Sequence, residues 1–365
     1  MAKQVMTVNG PIRPEELGFT SMHEHVLMTA PFMYELWYEK AMDHPFLGPN
    51  DPTTLENISY VRHNCMATYA AVDLQNADRM LLEVEDFKKT GGDSMLDCTA
   101  VGIRVNTPGI IKIGRRTGVN IIACTGFYMS LTWPKKFYGL GIDDYYKFMI
   151  DEIENGIDGT AARPGALKIG LSDFNEQEQK ALKAAARISK ENEMCITIHT
   201  MHESREDVHR AVDIALEEGM KAENLIIAHV NLTCFEPSME KLIKDPASWN
   251  CFDPAYLQSL FDKGVTLSFE YFGNSTDHEM NGRIGPQDWA TLAYLNYFVD
   301  KGYAERIVMG DDICTDMCTR RGGGEGYTRQ TIFAINTMRH YMGLSEEVIN
   351  TITRKNPKRL LTYKA

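Results

Sequence analysis

Eight short apolar runs, each followed by a stretch of helical periodicity, constrain what this chain can fold into more than any other feature. They fall at Phe19–His25, Ser94–Val101, Asn120–Phe127, Ala166–Gly170, Cys195–His199, Leu225–His229, Val265–Phe269 and Arg306–Met309. The runs are continuously apolar rather than alternating, the pattern of parallel strands covered on both faces. Between them lie helix signals. Ser204-Arg205-Glu206-Asp207 has the form of a capping box, and Val208, Ala211, Val212, Ala215 and Leu216 follow at helical spacing before a stop at Gly219. Asn175 with Glu178, and Ser345, read as further helix starts. Eight strand–helix units are the count for a (β/α)8 TIM barrel, an α/β fold that one domain over residues 1–365 fills.

Two stretches break the rhythm. About 70 residues separate the first two strands, including the Met- and aromatic-rich segment Met28–Tyr38 and the Pro/Asn/Gly punctuation of Leu47–Thr53. Asn274–Asp288, after the seventh strand, shows no period, and a glycine-rich loop follows the eighth. Insertions this long inside a barrel are more often functional than accidental.

Composition narrows the class of partner. Lys+Arg number 38 against 50 Asp+Glu, a net charge of −12, which argues against a duplex-binding surface. The longest uncharged stretch, Thr117–Pro134, is broken by Asn, Thr, Gly and Ser and is no membrane span. The N-terminus lacks an apolar core of the secretory kind, so a cytoplasmic location is expected. Eight scattered cysteines without a CxxC pair read as free thiols in a reducing compartment.

In a barrel the chemistry sits at the C-terminal ends of the strands. The first run ends His23-Glu24-His25, the fourth holds Lys168, the fifth ends at His199 and the sixth at His229, and the eighth runs into Asp311-Asp312. A lone strand-end histidine is usually a hydrogen-bonded core residue. Four together with a terminal carboxylate form a set suited to zinc or a similar divalent ion.

These residues and their surroundings resemble the phosphotriesterase family of the amidohydrolase superfamily over essentially the whole chain. The matching segments are Gly18–His25, Asp97-Cys98-Thr99, Thr125–Tyr128, Glu152–Thr160, Gly165–Gly170, His199, His229 and Asn356-Pro357. The resemblance implies two divalent metal ions: His23, His25 and Asp312 on one, His199 and His229 on the other, and Lys168, carboxylated by carbon dioxide, bridging both. Carboxylation makes sense of a lysine there, since an ammonium would repel the ions whereas a carbamate is an anionic ligand. The ligand set leaves zinc, manganese, cobalt and iron open, with zinc placed first. Asp312 is taken as both ligand and catalytic proton shuttle, because Asp311 occupies the polar place that precedes the family's aspartate; Asp311 stays as the alternative. One departure is Asn231, where the family usually carries aspartate.

What the resemblance implies for function is a hydrolase that uses a hydroxide shared by the metals to cleave a lactone or carboxylic ester, with promiscuous phosphotriesterase activity. The alternative is an amidase acting on an N-acyl amide of a small anionic amine, and a catalytically silent ligand-binding barrel is a third. Tyr128 is expected near the metals. Arg320, Arg321 and Arg329, in the loop after strand eight, are candidates to grip an anionic substrate group. Gly322–Gly324 is rejected as a nucleotide site because no G-x-G-x-x-G follows a first strand. A small-molecule substrate and a homodimer complete the expectation.

Overall fold

In the computed structural model, eight parallel strands run in one sheet in the order of the chain, each joined to the next by a helical crossover. The structure describes residues 3–37, 47–200, 204–233, 239–245, 247, 253–273 and 287–364. The barrel strands are β3 (Thr20–Glu24), β4 (Ser94–Asp97), β5 (Asn120–Phe127), β6 (Ala166–Gly170), β7 (Ile196–His199), β8 (Leu225–Ile227), β9 (Thr266–Phe269) and β10 (Ile307–Met309). Each lies inside one of the eight apolar runs. The anticipated ends at Val101 and His229 run past the last ladder residues, Asp97 and Ile227, although Val101 still bridges Phe127 in parallel.

Burial on both faces explains the unbroken apolar runs. Met95, Ile121, Leu167, Ile196, Leu225, Leu267 and Ile307 pack in one cluster with helical residues such as Ala181, Val208 and Leu257. Leu96, Ile122, Ala166, Ile226 and Val308 pack in a second, which forms the bore together with Cys98, Cys124 and Cys195. The six described cysteines are free thiols; Cys234 and Cys251 lie outside the described residues.

A three-stranded antiparallel sheet was not anticipated. It is built from β1 (Lys3–Thr7), β2 (Gly10–Ile12) and β11 (Tyr363–Lys364). These strands are short and half polar, so they carry no apolar run. Val5 of β1 and Leu360 and Leu361 of the terminal helix join the bore cluster, so the two ends of the chain close the bottom of the barrel together.

The helix starts behave as their side chains dictate. Asn175 accepts from the amides of Gln177 and Glu178, Ser204 from Asp207, and Ser345 from Val348. Glu178 does not return to Asn175; its carboxylate instead holds Ser172 N and Oγ and Ser130 N, tying two mouth loops together. The segment Glu152–Thr160 is structural. Glu152 accepts from Thr125 Oγ1 at 2.5 Å and pairs with buried Arg104, whose guanidinium also meets Asp158. Gly126 shows why glycine follows Thr125: at φ +121° a Cβ would lie 2.1 Å from the Lys168 carbonyl oxygen. The insertion after β3 contributes the helices Pro31–Trp37 and Ile58–His63. Most of Asn274–Asp288 falls outside the described residues. No helix among those described is long and apolar enough to cross a membrane.

Candidate metal centre

His23, His25, Lys168, His199, His229 and Asp312 converge at the C-terminal end of the barrel, every one buried. Parallel strands gather them at one end of the barrel: His199 ends its strand, His23 and Lys168 lie one and two residues before the ends of theirs, and His25, His229 and Asp312 lie one to three residues beyond. Asp312 Oδ1 lies 3.2 Å from His25 Nε2 and 3.6 Å from His23 Nε2. His229 Nε2 lies 2.7 Å from His199 Nδ1, and Lys168 Nζ lies 2.9 Å from His23 Nε2. Two groups of donors thus share a wall, one of His23, His25 and Asp312 and one of His199 and His229, with Lys168 beside His23.

The outer nitrogens of three imidazoles face acceptors, which decides where the inner lone pairs point. His25 Nδ1 meets Thr99 Oγ1 at 2.9 Å, and that hydroxyl donates to Asp97, so it accepts a hydrogen bond from His25 Nδ1–H and leaves Nε2 as the lone-pair nitrogen. Glu270 faces two more rings, bonding His23 and lying close to His229 without an aligned hydrogen bond. Its Oε1 is 2.7 Å from His23 Nδ1 and its Oε2 2.5 Å from His229 Nδ1, while Oε2 also accepts from the His229 amide at 2.9 Å. Asn231, the departure noted in the sequence, clamps Glu270: its Nδ2 donates to the Glu270 carbonyl at 2.9 Å and its Oδ1 accepts from the Glu270 amide at 3.2 Å. Sequence reasoning missed Glu270, because a glutamate one residue past a strand reads as a solvated end. Its position level with His23 and His229 was the available signal.

The centre suits a cation. Burial alone would raise Asp312, but His23, His25 and His229 hold it well below the usual carboxylate range. Burial likewise opposes ionisation of Glu270, and His23 and His229 overcome it. Burial lowers the His229 imidazole. At His23 burial acts the same way, but Cys98, Glu270 and Asp312 overcome it and raise the imidazole to about 10, so a cation bound there would take the place of the His23 proton. Asp312 Oδ1 is buried with no aligned hydrogen bond, although two imidazole nitrogens face it. An orphaned carboxylate oxygen between converging imidazole lone pairs fits a divalent ion. His23, His25 and Asp312 have ligand atoms within 4.8 Å of one another. Lys168 is fully buried, and its hydrogen-bond contact among the described residues is an imidazole rather than a carboxylate. A buried ammonium without a counter-ion is costly, and a carbamate on the same atom removes that cost.

Asp311 turns away from this set. Its Oδ2 faces the Gln330 amide at 3.4 Å, and burial together with the nearby Glu24 carboxylate pushes its own carboxyl well above the usual range. Of the two aspartates, Asp312 is the one that reaches the imidazoles.

Above the centre lies a mouth lined by Met28, Met33, Trp37, Met66, Tyr128 and Tyr271 with His25, His199 and Asp312. Tyr128 Oη is 3.4 Å from His199 Nε2, so the expected tyrosine is at the centre. The three arginines are engaged elsewhere. Arg321 pairs with Glu83 and Asp86 at 2.8 Å and Arg320 with Asp86 at 2.6 Å, both partners on the helix Ala77–Lys89. Arg329 pairs with Asp288 and Glu325 at 2.5 Å. None of the three lines the mouth. Three residues at the rim, His229, Tyr271 and Asp312, have positive φ (58°, 67° and 50°), a backbone state that surrounding contacts must enforce.

Known proteins carry the same architecture. An N-acetyltaurine hydrolase from Xenopus tropicalis is 28% identical over 369 residues, covering 100% of this chain and 99% of the relative. A resiniferatoxin-binding protein from Rhodobacter sphaeroides superposes with a TM-score of 0.86 at 26% identity, over 98% of this chain and 94% of that one. A lactonase from Listeria monocytogenes superposes at 0.74 with 22% identity, over 99% and 100%. The phosphotriesterase family itself matches residues 3–361, and the chain belongs to that family.

Proposed function

We propose that this protein is a binuclear metal-dependent hydrolase acting on a neutral lactone or carboxylic ester. The observation that carries the reading is an apolar mouth set directly over a His/Asp/Lys donor set. Two bound divalent ions would supply Lewis acidity toward the carbonyl oxygen and lower the pKa of attacking water. His23, His25 and Asp312 would hold one, His199 and His229 the other, and carboxylated Lys168 both.

The chain's own residues do the rest. Asp312, held ionised by the imidazoles around it, accepts a proton and is placed to pass it to the leaving group. Tyr128 Oη, beside His199, donates to an oxygen of the bound substrate. Met28, Met33, Met66 and Trp37 receive the apolar part of the substrate, where thioether chains adapt to varied shapes. Trp37 and Phe32, 5.0 Å apart at their ring centres, wall this side against water.

A second reading, hydrolysis of an N-acyl amide of an anionic amine, is favoured by the N-acetyltaurine hydrolase among the relatives. It requires a cation near the substrate, and among the described lining residues there is no lysine or arginine. Steady-state kinetics on a panel of neutral lactones and esters beside N-acylated aminosulfonates separates the two. The account expects kcat/KM at least about tenfold higher for the neutral compounds; the opposite order replaces it with the amidase reading.

A further inference from the structure

The barrel has a seam. Strands β3 through β10 are joined neighbour to neighbour by parallel ladders, but no ladder joins β10 back to β3 among the described residues. The chain closes this gap above the strands with side-chain and loop hydrogen bonds. The Asp312 amide donates to the His23 carbonyl at 3.0 Å. Glu24, the last residue of β3 and fully buried between His23 and His25, accepts from the Asp311 amide at 2.9 Å on Oε1 and from the Ile313 amide at 3.2 Å on Oε2. Ser21 Oγ holds the same carboxylate at 2.5 Å. Gly310 permits the approach, since a Cβ there would lie 2.7 Å from the backbone N and O of His23.

We propose that Glu24 is a positioning residue for the metal centre: its carboxylate replaces the missing β10–β3 ladder and holds Asp312 in the backbone conformation that aims it at His23 and His25. Asp312 has φ 50°, a left-handed state uncommon outside glycine though one aspartate adopts more readily than most residues. Glu24 grips the amides of the residues on either side of it, so a single side chain holds the Gly310–Asp311 and Asp312–Ile313 peptides that bracket this position, while the His23 carbonyl holds the amide of Asp312 itself. One strand then delivers three parts of the centre. His23 and His25 are donors, and the glutamate between them places a third donor from the opposite edge of the sheet. The metal-site part of this inference rests on the binuclear reading; the backbone part does not.

Two measurements on Glu24→Gln test it, because glutamine keeps the shape yet offers one acceptor oxygen where two are used. The first is hydrogen–deuterium exchange on metal-stripped protein. Amides from Gly310 to Ile313 should exchange at least about tenfold faster than in the unmodified protein, with β6 and β7 unchanged. The control is Asn356→Ala, which cuts two bonds from Asn356 Nδ2 to the Ala304 and Ile307 carbonyls at the other end of β10 and should leave Gly310–Ile313 protected. Unchanged exchange at Gly310–Ile313 in Glu24→Gln overturns the proposal whether or not the protein binds metal. The second is cobalt titration followed by visible absorption. Where the unmodified protein takes two equivalents, Glu24→Gln should weaken one step about 10- to 100-fold, the range for ligand-supporting groups, and leave the other nearly intact. Equal weakening of both steps, or of neither, contradicts the assignment, while failure of the unmodified protein to bind cobalt counts against the binuclear reading instead.

Discussion

Replacing Glu270 by glutamine should loosen metal binding at both halves of the centre without unfolding the barrel. The carboxylate makes three close contacts: 2.7 Å to His23 Nδ1, 2.5 Å to His229 Nδ1 and 2.9 Å to the His229 amide. Glutamine has one acceptor oxygen, so its NH2 group must face a donor on one of the two imidazoles. That ring either loses its partner or moves its proton to Nε2, the nitrogen that faces the centre. A hydrogen bond to a charged group is worth about 1.5–3 kcal/mol, which converts to roughly 10- to 150-fold in affinity. Zinc affinity of metal-stripped protein, measured by competition with a chromogenic chelator, should therefore fall about 10- to 100-fold. Melting of the metal-free forms tells this apart from general damage. Zinc affinity within about threefold of the unmodified protein would refute the reasoning, because the imidazoles would then be oriented by something other than Glu270.

Further expectations follow from other parts of the structure. Lys168→Ala should abolish most hydrolysis, with partial recovery on adding a small carboxylic acid that takes the bridging place; full activity without rescue removes the carbamate from the account. Arg321→Ala strips the guanidinium from Glu83, which is 1% exposed, and should cost about 1–2 kcal/mol in denaturant unfolding while changing KM equally for anionic and neutral substrates. A selective loss for anionic substrates would restore the arginine to the binding site. Glu193 is gripped by Lys221, Lys364 and Lys3, which lower its carboxyl from 4.5 to about 2. Its contribution is present above pH 4.5 and fades as pH falls toward 2, so the melting-temperature gap between unmodified protein and Glu193→Gln should shrink across that window; a gap independent of pH contradicts the assignment. Gly126→Ala, with a Cβ 2.1 Å from the Lys168 carbonyl, should cost more than about 2 kcal/mol by the same unfolding measurement.

The barrel was legible because burial on both faces writes itself into sequence as unbroken apolar runs, and the donors were legible because they gather near the C-terminal ends of those runs. Residues that act on other residues left no local trace. Glu24 reads as a spacer in His23-Glu24-His25, yet its partners, Asp311 and Ile313, lie at the far end of the chain. Arg320 and Arg321 stand in a glycine-rich loop that reads as an anion grip. Their carboxylates, Glu83 and Asp86, belong to a helix about 235 residues earlier, and no window of local sequence connects the two. The hairpin from Lys3 to Ile12 was invisible for a different reason, since only Val5, Met6 and Thr7 of its first strand are buried and none of its second, too short a run to stand out.

Elemental analysis of protein produced with excess zinc and bicarbonate tests the central claim most directly. The converging imidazoles, the orphaned Asp312 oxygen and the buried Lys168 predict two ions per chain, falling to one or fewer in Lys168→Ala. One ion or none in the unmodified protein would contradict a binuclear centre.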